Sequence, residues 1–158
     1  MDEPVLKHAR RLQIICIAFA ASLAAYAGVV FGLPDPAGPA LPQAEALRWG
    51  FVFISAANLA TVMPTYRAMM AGPRRVFAVG RQVERLLAAH LTAYLVALAR
   101  VEGVAVLGLL LFFLTGRRDW FWVLVAVAAL GTALLWPTRS KVTALLVLPG
   151  EAPSTPIR

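Results

Sequence analysis

The sequence is poor in the residues that build disulfides and metal clusters. It contains one cysteine, Cys16, and two histidines, His8 and His90. A lone cysteine excludes an intramolecular disulfide and a site made of several cysteines, so we interpret Cys16 as a packing residue. His8 belongs to the N-terminal tail, and His90 faces Tyr94 on the same helical side. One histidine makes no ordinary metal site, so we expect no metal, and no haem or pigment on His90.

Motifs typical of enzymes are also absent from the sequence. There is no glycine-rich phosphate loop and no G-x-S-x-G turn. Apart from Glu102, every Asp and Glu lies in a predicted loop, tail or helix end. We therefore expect no catalytic residues and no cofactor, and the sequence leaves a bound lipid, quinone or pigment open. The protein is not expected to be an enzyme.

Charged residues are scarce, and apolar residues are in excess. The chain of 158 residues is 60% hydrophobic and 15% charged, with a mean hydropathy of +0.74. Soluble domains average about 45–50% apolar and about 25% charged residues, which indicates a membrane protein here. The net charge of +7 comes from basic residues placed between the apolar runs. That placement favours membrane orientation over nucleic-acid binding.

Four apolar runs predict an all-α integral membrane four-helix bundle, formed by one transmembrane domain over residues 1–158. The predicted spans are about 12–33, 44–65, 86–115 and 120–137, since membrane-spanning backbone must satisfy its own polar groups as helix. Gly72 and Pro73 separate the second and third spans, and an amphipathic helix start is predicted over 73–86. The proline-rich segment 33–43 cannot continue a helix, and the tail 149–158 is predicted to be flexible.

The basic residues also predict the orientation. Most of the 15 Lys and Arg residues fall on the side that carries both termini, which places the termini in the cytoplasm, with a bacterial inner membrane as the expected location. Trp49, Trp120 and Trp122 mark the opposite boundary. On the cytoplasmic side, one set of arginines could hold anionic lipid headgroups at about 1 kcal/mol each, or could only fix the topology. The set is Arg74, Arg75, Arg81 and Arg85.

Small residues recur at four-residue intervals along the first span. They are Ala20, Ala24, Gly28 and Gly32. Because lipid chains are as apolar as leucine, helices in a bilayer associate through close approach at such small-residue faces. We predict that this face packs against another helix.

The stretch LARVEGVAVLGLLLFF (98–113) places two charges in the middle of the third span. Arg100 and Glu102 are two residues apart, hence about 200° around a helix, and cannot pair with each other. Unassisted, the two would cost about 5–7 kcal/mol in a membrane. The second span offers a polar face as partner for either charge. That face consists of Ser55, Asn58 and Thr61.

Three interpretations of these charges are open. In the first, neighbouring polar groups or another subunit satisfy Arg100 and Glu102, which then hold helices together. In the second, Glu102 is a protonatable carboxylate that carries an ion near the midplane. In the third, the long helix is displaced or tilted so that both charges reach water.

Two resemblances bear on the choice. Glu102 followed by Gly108 and Leu109 resembles the ion-carrying helix of rotary ATPase proteolipid (c-type) subunits, which implies a proton- or sodium-binding carboxylate. Arg100 departs from that pattern, because the proteolipid helix does not normally place an arginine two residues before its carboxylate. The stretches ALARVEGVAVLG and WPTRSKV resemble small four-span bacterial membrane proteins of uncharacterised function, which implies a topology and no activity.

The sequence therefore predicts an accessory or structural subunit of a larger membrane complex. Its expected partners are other transmembrane subunits, or a second copy, and anionic lipids, without nucleic acid. The alternative is a homo-oligomeric protein that translocates protons or sodium through Glu102.

Overall fold

The computed structural model describes residues 2–34 and 43–147, and regular secondary structure within them is entirely helical. The described residues form six helices: α1 (Asp2–Gly32), α2 (Ala44–Ala60), α3 (Val62–Gly80), α4 (Val83–Thr115), α5 (Arg118–Leu134) and α6 (Arg139–Ala144). The all-α prediction is confirmed for these residues. The tail 149–158 and most of the connection 33–43 lie outside them.

Three helical stretches are long and apolar enough to cross a membrane. They are Glu3–Gly32, Ala44–Gly80 and Val83–Thr115. By length and composition, these helices support the membrane class that the sequence predicts. Helix α5, which covers most of the predicted fourth span, has 17 residues and is shorter than these three.

Helix α4 is the centre of the fold. Its 33 residues extend over about 50 Å, and it contacts α1, α2, α3 and α5. The backbones of α1 and α5 also approach each other, whereas those of α2 and α3 approach neither α1 nor α5 within the described residues. Helices α2 and α3 therefore lie on one side of α4, and α1 and α5 lie on the other.

Two glycines allow α4 and α5 to approach closely. A Cβ atom on Gly108 would lie 3.0 Å from Leu124 Cβ, and one on Gly131 would lie 2.9 Å from Val101 Cγ1. Carbon atoms in contact sit about 3.5–4.0 Å apart, so a side chain at either position would overlap its neighbour. The tight α4–α5 contact therefore depends on glycine.

The predicted break at Gly72 and Pro73 is not where the chain turns. Pro73 lies inside α3, which continues to Gly80, and the chain turns at Arg81, whose φ of 51° is left-handed. An interior proline removes one helical hydrogen bond and costs roughly 3 kcal/mol. Here Met70 and Phe77 are both buried in one apolar cluster with residues of α4. Their burial keeps the helix continuous through the proline.

The small-residue face of α1 points outward. Ala20, Ala24, Gly28 and Gly32 are all exposed. A Cβ atom on Gly28 or Gly32 would meet no atom within 4 Å. The described part of this chain therefore places no helix against the two glycines.

Candidate functional site

The two charged side chains in the middle of α4 point to different neighbouring helices. Glu102 faces α1, where its Oε1 accepts hydrogen bonds from Ser22 Oγ at 2.5 Å and from Tyr26 Oη at 2.9 Å. Ser22 and Tyr26 are four residues apart and therefore lie on one face of α1. A carboxylate oxygen has enough lone pairs to accept both bonds. Glu102 thus fastens α4 to α1.

The Ser22 hydroxyl lies between two acceptors, because its Oγ is also 2.8 Å from the Phe19 carbonyl oxygen. A hydroxyl has one proton to donate. When Glu102 is ionised, that proton goes to the carboxylate, which is the stronger acceptor. When Glu102 is protonated, the carboxyl group can donate to Ser22 Oγ, and Ser22 can donate to Phe19. The arrangement therefore keeps Glu102 Oε1 hydrogen-bonded in either protonation state.

Arg100 lies on the side of α2. Its Nη1 donates to Thr61 Oγ1 at 2.5 Å, and the amide of Asn58 donates to the Arg100 carbonyl oxygen at 2.7 Å. Gly103 leaves room for this contact, since a Cβ atom there would lie 3.4 Å from Asn58 Nδ2. Thr61 is the residue between α2 and α3. The Arg100 contacts therefore fasten the junction of these two helices to α4.

The predicted polar face of α2 is only partly engaged by these charges. Asn58 and Thr61 both bond to Arg100, whereas Ser55 is 3% exposed and its Oγ has no hydrogen-bond partner among residues 2–34 and 43–147. Within the described residues, Glu102 accepts its side-chain hydrogen bonds from α1 and from none of these three side chains. Ser22 and Tyr26 were not predicted as partners, although their four-residue spacing on the first span was an available signal.

A second polar contact joins the start of α1 to α4. His8 Nε2 and His90 Nδ1 are 2.9 Å apart, and each histidine is 7% exposed. Tyr66 and Tyr94 border the His90 ring, with centroid distances of 6.0 Å and 6.1 Å. One ring nitrogen must carry the shared proton and the other must accept it. Each histidine therefore satisfies the other inside the fold.

Placing His8 in an N-terminal tail was therefore wrong. Helix α1 begins at Asp2, so His8 is helical and faces the core. The sequence signal was the spacing of Val5, Ala9, Leu12 and Cys16, which are all buried in one cluster with residues of α4. Three or more potential metal-binding side chains do not come together anywhere in residues 2–34 and 43–147.

The predicted headgroup arginines lie at the α3–α4 turn and on the helices beside it. Arg74 and Arg75 are exposed on α3, and Arg85 is exposed in the first turn of α4. Arg81 occupies the left-handed position between the helices, with its guanidinium carbon 5.8 Å from the Phe77 ring centroid. The four form a basic surface at the same end of the fold as His8.

At the opposite end, the Arg48 side chain ties the start of α2 to the start of α5. Its guanidinium carbon lies 5.1 Å from the ring centroids of Trp49 and Trp120. Nearby, Arg117 bonds to both carboxylate oxygens of Asp119, at 3.1 Å and 2.6 Å. This hydrogen bonding lowers the pKa of Asp119. Both tryptophans therefore lie at one end of the bundle beside paired charges.

Comparison with known proteins adds no relative: the chain matches no protein family, no curated protein and no solved structure.

Proposed function

We propose that the protein is an accessory subunit of a larger membrane assembly and that the small-residue face of α1 is its contact with a partner helix. The observation that supports this proposal is the outward position of Gly28 and Gly32, because a Cβ atom on either residue would have no neighbouring atom within 4 Å. Glycine costs helix stability, so an exposed glycine pair is best explained by a close approach from outside. The partner is another transmembrane subunit or a second copy of this chain.

The same proposal includes a four-span topology with both termini in the cytoplasm of a bacterial cell. Helix α5 is about 25 Å long and ends close to Trp136, which makes it a short fourth span. Trp49 and Trp120 at one end, with the arginine-rich α3–α4 turn at the other, support this orientation.

Glycine substitutions test the assembly without disturbing the fold. Because Gly28→Leu and Gly32→Leu place their side chains in open space, the isolated protein should keep its thermal stability while co-purification with the partner is lost. Ala18→Leu, on another exposed side of α1, is the matched control and should keep the partner. Unchanged co-purification in the doubly substituted protein would reject the proposal.

Substitution of the α4 charges is a different experiment. Arg100 and Glu102 bond to helices of their own chain, so Arg100→Ala or Glu102→Gln should first lower the stability of the isolated subunit. A loss of partner in these variants follows from the weakened fold. If either variant loses the partner at unchanged stability, the contact surface includes α4 instead.

The second candidate function is ion translocation by Glu102, as the proteolipid resemblance implies. It is favoured by the pair of hydroxyl groups on α1 that can stay bonded to Glu102 Oε1 in both protonation states. In the described part of the chain, no Lys or Arg forms an ion pair with Glu102. Purified protein in liposomes should then conduct protons or sodium, and Glu102→Gln should abolish the flux. A wild-type protein without flux would eliminate this candidate.

A further inference from the structure

An apolar cleft of about 490 Å³ opens between the α2–α3 junction and α5. Val62 and Met63 form one wall, Leu134 and Leu135 form the other, and Val101 of α4 lies between them. The cleft exists because α3 and α5 both pack on α4 while their backbones stay apart within the described residues. Its volume falls in the range of about 300–1,000 Å³ that small-molecule sites occupy.

A fixed positive charge stands at one end of the cleft. Lys141 of α6 lines it, and its Nζ donates to the carbonyl oxygens of Leu134 and Trp136, each at 3.0 Å. Leu134 is the last residue of α5 and Trp136 lies just beyond it, and carbonyl oxygens at a helix C-terminus attract cations. An ammonium group has three N–H donors, so one remains after these two bonds. The Lys141 head is therefore held at the cleft with a donor to offer.

We propose that this cleft binds one acyl chain of an anionic phospholipid, with the lipid phosphate on Lys141. Apart from Lys141, the lining is aliphatic except for Tyr66 and Met63, and methionine adapts to flexible apolar ligands, so most of the wall suits a hydrocarbon chain. A single cation at the end complements one phosphate. A partner helix is about 10 Å wide and would need an open groove several turns long, whereas these walls span little more than two turns.

The position of Lys141 indicates which leaflet of the membrane supplies the lipid. Lys141 lies beyond the C-terminal end of α5, on the side of the bundle that carries the basic α3–α4 turn. The lipid therefore comes from the leaflet on that side, which is the cytoplasmic leaflet in the proposed orientation. Only the assignment of the leaflet rests on the proposed function. Lipid binding in the cleft and assembly through Gly28 are independent of each other.

The test is native mass spectrometry of the purified full-length protein with equal amounts of phosphatidylglycerol and phosphatidylcholine that share the same acyl chains. The wild-type protein should retain one phosphatidylglycerol molecule in preference to phosphatidylcholine. Lys141→Gln should lower the ratio of phosphatidylglycerol to phosphatidylcholine about fivefold, the loss expected for one cation at a lipid surface. Lys141→Arg should keep the ratio.

Two further variants separate the cleft from general surface charge. Lys7→Gln removes the only other lysine, which pairs with Glu3 on α1 away from the cleft, and should leave the ratio unchanged. Leu134→Trp fills the cleft and should reduce retention of both lipids. Equal ratios in the wild type and Lys141→Gln, or the same loss in Lys7→Gln, would overturn the proposal. So would a polypeptide bound in place of lipid. None of these results affects the Gly28 co-purification test.

Discussion

The bond between Tyr26 and Glu102 predicts a measurable coupling between α1 and α4. The perturbation is a double-mutant cycle that combines Tyr26→Phe with Glu102→Leu. Tyr26→Phe removes only the hydroxyl that donates to Glu102 Oε1 at 2.9 Å, and Glu102→Leu removes the acceptor at similar volume. The coupling free energy isolates that bond from the other effects of each substitution.

The expected magnitude follows from the position of the bond. A hydrogen bond to a charged group contributes about 1.5–3 kcal/mol in soluble proteins. Side-chain bonds within membrane proteins average about 0.6 kcal/mol and reach about 1.7 kcal/mol, because the unfolded helices also find polar partners in the bilayer. Glu102 is half-buried, so we expect a coupling of about 1 kcal/mol, which is about a fivefold change in the unfolding equilibrium.

Reversible unfolding in mixed micelles measures this coupling. Tyr94→Phe is the matched control, since the Tyr94 hydroxyl donates to the Leu135 carbonyl oxygen at 3.1 Å, about 12 Å along α4 from Glu102. Substitutions at such separations add within about 0.3–0.5 kcal/mol. A Tyr26–Glu102 coupling no larger than that of the Tyr94 control would refute the role of Glu102 as the link to α1.

Three further predictions concern other contacts of α4 and use the same unfolding measurement. Gly131→Ala should destabilise the fold by about 1–3 kcal/mol because its Cβ would overlap Val101, whereas Gly28→Ala should not; equal effects would contradict the close α4–α5 approach. His8→Leu should cost about 1–3 kcal/mol by leaving the His90 ring buried without its partner, and adding His90→Leu should recover part of that loss; purely additive losses would argue against the pair. Asn58→Ala should cost about 1 kcal/mol by removing the amide bond that joins α2 to the Arg100 carbonyl of α4, and no change in stability would show that this bond adds nothing.

The sequence predicts the helices well because their signals are local. Long apolar runs require helix in a bilayer, and the described residues are helical with three stretches able to cross one. The angular separation of Arg100 and Glu102 around the helix is also predictable from the sequence, because it depends only on helix geometry. In the structure these side chains do bond to different helices.

Contacts between distant residues were harder to predict. Hydroxyl groups occur in apolar runs without a specific role, so the sequence does not indicate that Ser22 and Tyr26 bond to a carboxylate. That role follows only from the packing of α1 against α4. The sequence predicts a break at Pro73 because the cost of an interior proline is local, whereas the burial of Met70 and Phe77 that offsets this cost is a tertiary contact. The exposed stripe that contains Gly28 has the same spacing as an internal contact, and spacing alone does not tell which helix comes close.

A crosslinking experiment in native membranes tests most directly that the α4 charges are satisfied within one chain. In a background without Cys16, Ser22→Cys and Glu102→Cys would be combined and treated with a short thiol-specific crosslinker. Because Ser22 Oγ and Glu102 Oε1 are 2.5 Å apart, we expect a crosslink within the monomer that depends on both cysteines. A product found only as a crosslinked dimer, or no product at all, would contradict the account.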